Sequence, residues 1–258
     1  MLTDTRRIFA VLALLAGLVA LAPTSAVAAG TVVPASVADP LLDFDEPDTS
    51  LVLSDEVRVT RWAHATETSP IRSAPRTTAR TITRLRFKTE DKYDEVYLVL
   101  DGKVDADGQQ WLRIRIPMRP NGRTGWVPLE MLGPLKTVTT QLVIDRTAKR
   151  AKLYKAGRRI WEAPVGVGKA GTPTPRGNFY VRELLRGQGG AYGPWAFGTS
   201  AYSSISDWPN GGVVGIHGTN QPNLIPGRPS HGCVRVRNAK ITQLRRLMPI
   251  GTPVRIIR

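Results

Sequence analysis

A single cysteine and three histidines stand in 258 residues, and two of those histidines lie shortly before the cysteine. Cys233 lies in Ser230-His231-Gly232-Cys233-Val234-Arg235, and His217 lies upstream in Gly215-Ile216-His217-Gly218-Thr219-Asn220. A thiol and an imidazole that meet in space are a nucleophile and its base. Gly232 lets the backbone approach a substrate, and the consecutive amides around Gly232 and Cys233 are expected to donate to an oxyanion. Residues 208–258 carry eight Lys or Arg and no Asp or Glu. That charge predicts a lowered thiol pKa and a reactive thiolate. The last acid is Asp207, so the group that holds the base in its tautomer is expected to be the Gly218 carbonyl or the Asn220 side chain.

The same residues admit other chemistry. A lone cysteine is commonly an inert core thiol. His217, His231 and Cys233 suffice as zinc ligands, but no nearby carboxylate supplies the general base of a zinc hydrolase. A papain-like hydrolase places its cysteine before its histidine, and no histidine follows Cys233. A sortase-like order of His, Cys, Arg is present, in a different local setting. The cysteine-nucleophile reading needs no metal and no cofactor.

Several elements must position this pair. As a strand, residues 213–217 put Val213, Gly215 and His217 on one face; residues 233–237 likewise put Cys233, Arg235 and Arg237 on one face, with Val234 and Val236 in the core. Asn238 is expected to cap a short helix carrying Ile241, Leu244 and Leu247 on one side. Residues 139–145 and 150–154 read as a hairpin, and Thr172-Pro173-Thr174-Pro175 as a rigid turn. Residues 186–210, rich in glycine with Tyr192, Trp195, Phe197, Tyr202 and Trp208, read as one long loop that acts as a lid or binding surface.

The N-terminal half feeds and exports this region. Residues 1–28 read as an export signal: Arg6-Arg7, an apolar run from Ile8 to Ala22, and Ala26-Val27-Ala28. That run is short for a membrane span, and the arginine pair also fits a twin-arginine route. Contact with a membrane is expected only through this signal. Residues 29–54 read as a linker with Pro34, Pro40 and Pro47. Residues 39–56 hold seven acids and no Lys or Arg, whereas residues 57–258 hold 34 Lys or Arg against 13 Asp or Glu. A basic body favours an anionic partner. Outside a cell that means wall polymers rather than nucleic acid. Residues 55–134 alternate in short runs separated by turns such as Asp107-Gly108 and Asn121-Gly122, which predicts a small β-barrel. Ser69-Pro70-Ile71-Arg72-Ser73-Ala74-Pro75, then Trp111, Gly125-Trp126-Val127 and Leu132, resemble a bacterial SH3-like domain. Trp111 and Trp126 are expected in its core, and His64 at its surface.

Residues 135–258 resemble the L,D-transpeptidase catalytic domain, the YkuD or ErfK/YbiS/YcfS/YnhG family. Three blocks carry the resemblance: Val165 to Phe179 with Gly168-Lys169 and Thr174-Pro175-Arg176-Gly177, Ile216-His217-Gly218-Thr219, and Ser230-His231-Gly232-Cys233-Val234-Arg235. Some members have Asn where this chain has Arg235. The resemblance implies a mainly β protein: an SH3-like barrel, then a β-sandwich with a short helix after the cysteine. It implies that Cys233 attacks the L,D bond of a donor tetrapeptide stem of peptidoglycan and forms a thioester. An acceptor amine then resolves the thioester into a 3-3 cross-link, with His217 as acid and base. It also implies an assisting role for His231, an oxyanion amide at Gly232, and carbapenem acylation of Cys233. Arg235, Asn220, Tyr192 and Trp195 are the expected substrate contacts. An L,D-carboxypeptidase using water, or a non-catalytic wall-binding protein, are the alternatives. The expected location is the cell envelope or the secreted fraction.

Overall fold

The computed structural model describes residues 49–187, 189–207 and 209–258. The export signal, most of the acidic linker and Trp208 lie outside them. The described residues form two β-sheets and one α-helix.

The first sheet contains β1 (Ser50–Val52), β2 (Thr60–Ala63), β3 (Pro70–Arg72), β4 (Thr81–Arg84), β5 (Tyr97–Val104), β6 (Gln110–Arg115), β7 (Thr124–Pro128) and β8 (Lys136–Val138). They run in the order β4-β3-β7-β6-β5-β2-β8, with β1 also on β5, and wrap a barrel-like core. Strand β5 is buried on both faces, which explains its unbroken apolar run. Tyr97 and Val99 face the barrel core. Leu98 and Leu100 face the other way, with Trp62, Val96 and Val138, onto Tyr180 and Ile250 of the second half. Trp111 is fully buried and its Nε1 donates to Asp105 Oδ2 at 2.8 Å, so it is a core residue. Trp126 is half-buried, with the Arg113 guanidinium 5.8 Å from its ring centre. His64 departs from the expected surface position. Its Nδ1 is 2.8 Å from the Glu95 carbonyl and its ring packs edge-on against Trp62.

The second sheet contains β9 (Thr140–Asp145), β10 (Arg150–Lys155), β11 (Arg158–Gly168), β12 (Gly177–Arg186), β13 (Trp195–Tyr202), β14 (Val213–His217), β15 (Gly227–Ser230), β16 (Val234–Val236) and β17 (Pro253–Ile257), with α1 (Asn238–Leu247) before the last strand. Their order is β10-β9-β17-β12-β13-β14-β16-β11-β15. The long β11 pairs with β10 through its first half and with β16 and β15 through its second. The sheet thereby folds back on itself around a core that includes Leu153, Phe179, Phe197, Val234 and Ile241.

Two expectations change here. The stretch read as one loop from 186 to 210 contains β13 at its centre, with Phe197 and Tyr202 buried. Its glycines and aromatics suggested a loop, but pairing with β12 and β14 on both sides supplies the backbone partners a strand requires. Asn238 is the first residue of α1 rather than its cap. Its Oδ1 accepts from the Thr219 amide at 2.8 Å instead. Ile241 and Leu244 are buried, while Leu247 is exposed and Met248 takes the inner position.

The two halves are docked through a buried ionic network. Arg182 on β12 is fully buried; it donates to Glu95 through Nε and Nη2 and to Glu90 through Nη2. Tyr202 donates its hydroxyl to Glu90 at 2.6 Å, and Asn121 exchanges two hydrogen bonds with the Tyr202 backbone. Gly251 lies so close to Trp62 that a Cβ there would come within 2.1 Å of the indole.

Candidate active site

Strand register brings the reactive residues together. β14 and β16 are parallel neighbours, with Ile216 opposite Val234 and His217 opposite Arg235. The buried partners Val214, Ile216, Val234 and Val236 fill the core, so His217, Gly215, Cys233 and Arg235 share the opposite face. Cys233 sits just before β16, beside Gly215, whose amide donates to Sγ at 3.3 Å. Cys233 and His217 line one cavity of about 290 Å³.

His217 is oriented by backbone. Its Nδ1 is 2.6 Å from the Gly218 carbonyl, so Nδ1–H donates there and Nε2 is left as the basic nitrogen. The Gly218 segment is itself clamped. Its amide donates to the Trp195 carbonyl at 3.1 Å, and Asn238 holds the next residue. A Cβ at Gly193 or Gly218 would strike Asn238 Oδ1 at 2.4 or 2.5 Å, so the segment needs both glycines to pack. That same packing sets Tyr192 over the imidazole, with ring centres 4.9 Å apart, as the outer wall of the cavity.

The electrostatics reverse one expectation. The thiol is pushed above its ordinary value by burial, which outweighs the Gly215 amide and the Arg235 charge. The basic surroundings counted along the chain therefore do not produce a resting thiolate. Most of those charges are in water, while the sulfur is packed by protein and loses its solvation. Burial also lowers His217 to about 4, helped by Arg235 and opposed by the Gly218 carbonyl. At neutral pH the resting pair is a neutral thiol beside a neutral imidazole.

A second expectation concerns the oxyanion donor. Gly232 has φ of +128°, and a Cβ there would meet Ser203 Oγ at 3.0 Å, so glycine is required. Its amide is engaged, however: it donates to Ser230 Oγ at 3.2 Å, while Ser230 donates to the Cys233 carbonyl at 2.5 Å. Gly232 shapes the turn rather than offering its own N–H.

The other expected contacts separate. Arg235 lines a smaller cavity with His231, Cys233 and His217; its Nη1 donates to Gln221 at 2.8 Å and its buried Nε has no partner among the described residues. His231 Nε2 accepts from Lys169 Nζ at 2.8 Å, and its carbonyl accepts from Ser203. Asn220 and Trp195 line a neighbouring groove instead, and Arg245 stacks 4.2 Å above Trp195. Neither lines the thiol cavity. Sequence reasoning missed Ser203, Lys169, Asp91 and Glu183. Lys169 stood in a quoted block without a role; the others had no local signal.

Residues 139–256 match the family described as YkuD, the L,D-transpeptidase catalytic domain. The chain belongs to this family. It is 33% identical over 122 residues to the L,D-transpeptidase YkuD of Bacillus subtilis, covering 47% of this chain and 68% of that one. It is 31% identical over 120 residues to the protein of the same name from Bacillus licheniformis, covering 46% and 67%. Among solved structures, an Enterococcus faecium L,D-transpeptidase aligns with 26% identity and a TM-score of 0.37, over 46% of this chain and 49% of that one. This L,D-transpeptidase domain thus occupies the second sheet, and Cys233 and His217 lie within its matched segment.

Proposed function

We propose that this chain is an exported enzyme that forms 3-3 cross-links in peptidoglycan by acyl transfer through Cys233. The observation that carries the proposal is the placement of Cys233 and His217 in one cavity, with His217 Nδ1 tied to Gly218 so that Nε2 is basic. Because both groups rest neutral, proton transfer accompanies attack. His217 takes the thiol proton as sulfur adds to the carbonyl carbon of the L,D peptide bond. The Cys233 amide is assigned to the developing oxyanion. His217 then protonates the leaving D-alanine nitrogen, and a thioester remains. An acceptor amine attacks the thioester, the C–N bond forms, the C–S bond breaks, and a proton returns to sulfur through His217. Arg235, with a free buried Nε–H, suits a substrate carboxylate. Tyr192 covers the reacting centre, and the Lys169–His231 pair supports the turn that carries the thiol. The first sheet, read as an SH3-like module, holds the catalytic half near anionic wall polymers.

The test is intact-mass measurement after carbapenem exposure, followed by product analysis with purified tetrapeptide stems. A single adduct on the wild type, absent in Cys233→Ala and slowed at least a hundredfold in His217→Gln, is expected. An adduct that survives Cys233→Ala overturns the assigned nucleophile. Tripeptide without cross-linked dimer makes the enzyme a carboxypeptidase.

A further inference from the structure

The thiol cavity has a second, acidic end. It is lined by Glu183 from β12 and by Asp91, which arrives from the other half of the chain on the connection between β4 and β5. The register of β12 shifts between Val181 and Glu183. Arg182 enters the interface between the halves, and Glu183 faces the cavity. Glu183 is only 1% exposed. Its Oε2 accepts from Thr89 Oγ1 at 2.5 Å, and its buried Oε1 has no hydrogen-bond donor among the described residues. A buried carboxylate oxygen without a donor is costly unless a donor or cation arrives.

Two glycines lie between this carboxyl and the thiol. Gly198 on β13 and Gly215 on β14 are directly opposed. A Cβ at Gly198 would lie 2.2 Å from Glu183 Oε1, and a Cβ at Gly215 would lie 3.9 Å from Cys233 Sγ. Opposed residues of an antiparallel pair project to one face about 5 Å apart, so oxygen and sulfur are separated by roughly 12 Å at most. Two glycines thus floor a channel with a nucleophile at one end and a carboxyl pair at the other. Burial, the Asp91 charge and a side-chain hydrogen bond with Asp91 raise Glu183 to about 7, against Thr89 and Arg182, which lower it, so the two carboxyls form a pair that holds a proton. Nε and Nη2 of Arg182 are taken by Glu95 and Glu90, its buried Nη1 has no hydrogen-bond partner among the described residues, and the cation on the cavity wall, Arg186, is exposed.

We propose that Glu183 and Asp91 form an ammonium subsite that receives the primary amine of the acceptor and delivers it along the glycine channel to the thioester on Cys233. This rests on the transpeptidase function proposed above. The amine arrives as an ammonium, passes one proton to the carboxyl pair, and attacks as the neutral amine. The C–N bond forms, the C–S bond breaks with its electron pair going to sulfur, and the second amine proton reaches sulfur through His217. The first half of the chain then contributes directly to acceptor choice through Asp91.

The test compares the full chain with Glu183→Gln and Asp91→Asn, using a tetrapeptide stem with a free side-chain amine as donor and acceptor. Acyl-enzyme formation is followed by intact mass, and dimer and tripeptide are separated chromatographically. Both variants are expected to lower the dimer-to-tripeptide ratio at least tenfold and to raise KM for the acceptor, with acylation reduced less than threefold. Glu183→Asp should recover part of the transfer. A ratio within twofold of wild type in both variants overturns the subsite while leaving the nucleophile intact. Should Glu183→Gln fail to fold, Asp91→Asn, at a partly exposed position, decides alone. A wild type that forms no acyl-enzyme overturns the transpeptidase function and the subsite with it.

Discussion

Gly215→Ala adds one methyl group at the centre of the site, and its consequences can be worked from geometry. A Cβ there would lie 3.6 Å from the Phe197 carbonyl oxygen, 3.7 Å from His217 Cδ2 and 3.9 Å from Cys233 Sγ. All three are ordinary contact distances, so the methyl fits without moving the backbone. Replacing glycine at a compatible conformation narrows the unfolded ensemble and stabilises by about 0.4–1 kcal/mol. The variant should therefore melt at or slightly above the wild-type temperature. Activity should respond differently. A carbonyl carbon must come within about 3–3.5 Å of sulfur to react, and displacement by about 1 Å costs on the order of a hundredfold. That loss corresponds to about 2.7 kcal/mol of barrier. The assay pairs thermal unfolding with the rate of covalent acylation of Cys233. Acylation within threefold of wild type, with an unchanged melt, would show that substrate does not cross Gly215 and would refute the channel geometry. Gly198→Ala is the companion. Its Cβ would lie 2.2 Å from Glu183 Oε1 and 2.6 Å from Cγ, so the carboxylate must swing away. Amine transfer should fall more than acylation.

Three other perturbations test the framework. Arg182→Met leaves Glu95, itself 1% exposed, buried beside Glu90 without its main cation, and should destabilise by about 3–5 kcal/mol in denaturant unfolding; a loss under 1 kcal/mol would show that the network does not hold the halves together. Asn238→Ala removes the acceptor for the Thr219 amide and should slow acylation roughly tenfold with the helix intact by circular dichroism; an unaltered rate would free Asn238 from any part in positioning His217. The pH dependence has two opposed parts. Because His217 is lowered from 6.5 to about 4, the unfolded chain binds more protons in that window, and stability falls by about 3 kcal/mol as pH drops through it. Because Glu183 is raised from 4.5 to about 7, its contribution is full below 4.5 and is lost, by about 3 kcal/mol, as pH rises through 7. The stability difference between Glu183→Gln and wild type should thus climb in favour of the variant from pH 4.5 to 7, and a flat difference profile would contradict the raised carboxyl.

What the amino-acid sequence determined by itself is local. Strand alternation sufficed to put Arg235 and Cys233 on one face and Val234 and Val236 in the core, because side chains in a strand take opposite sides by covalent geometry. The absence of acids after Asp207 left the Gly218 carbonyl or the Asn220 side chain as the partner of His217, and the structure uses the first, a contact between adjacent residues that needs no distant element. Tertiary structure decided what depends on burial and on remote neighbours. Counting arginines suggested a thiolate, but packing strips water from the sulfur, and desolvation outweighs charges that remain in solvent. The Gly232 amide looked available until Ser230 folded back to take it. Strand β13 was hidden by the glycines before it, although Trp195, Phe197, Thr199 and Tyr202 are residue types that strands favour, and pairing with β12 and β14 holds it extended. Thr89 and Glu183 are separated by 94 positions, and no spacing rule spans that distance. Only the docking of one sheet on the other brings the carboxyl pair to the cavity that holds Cys233.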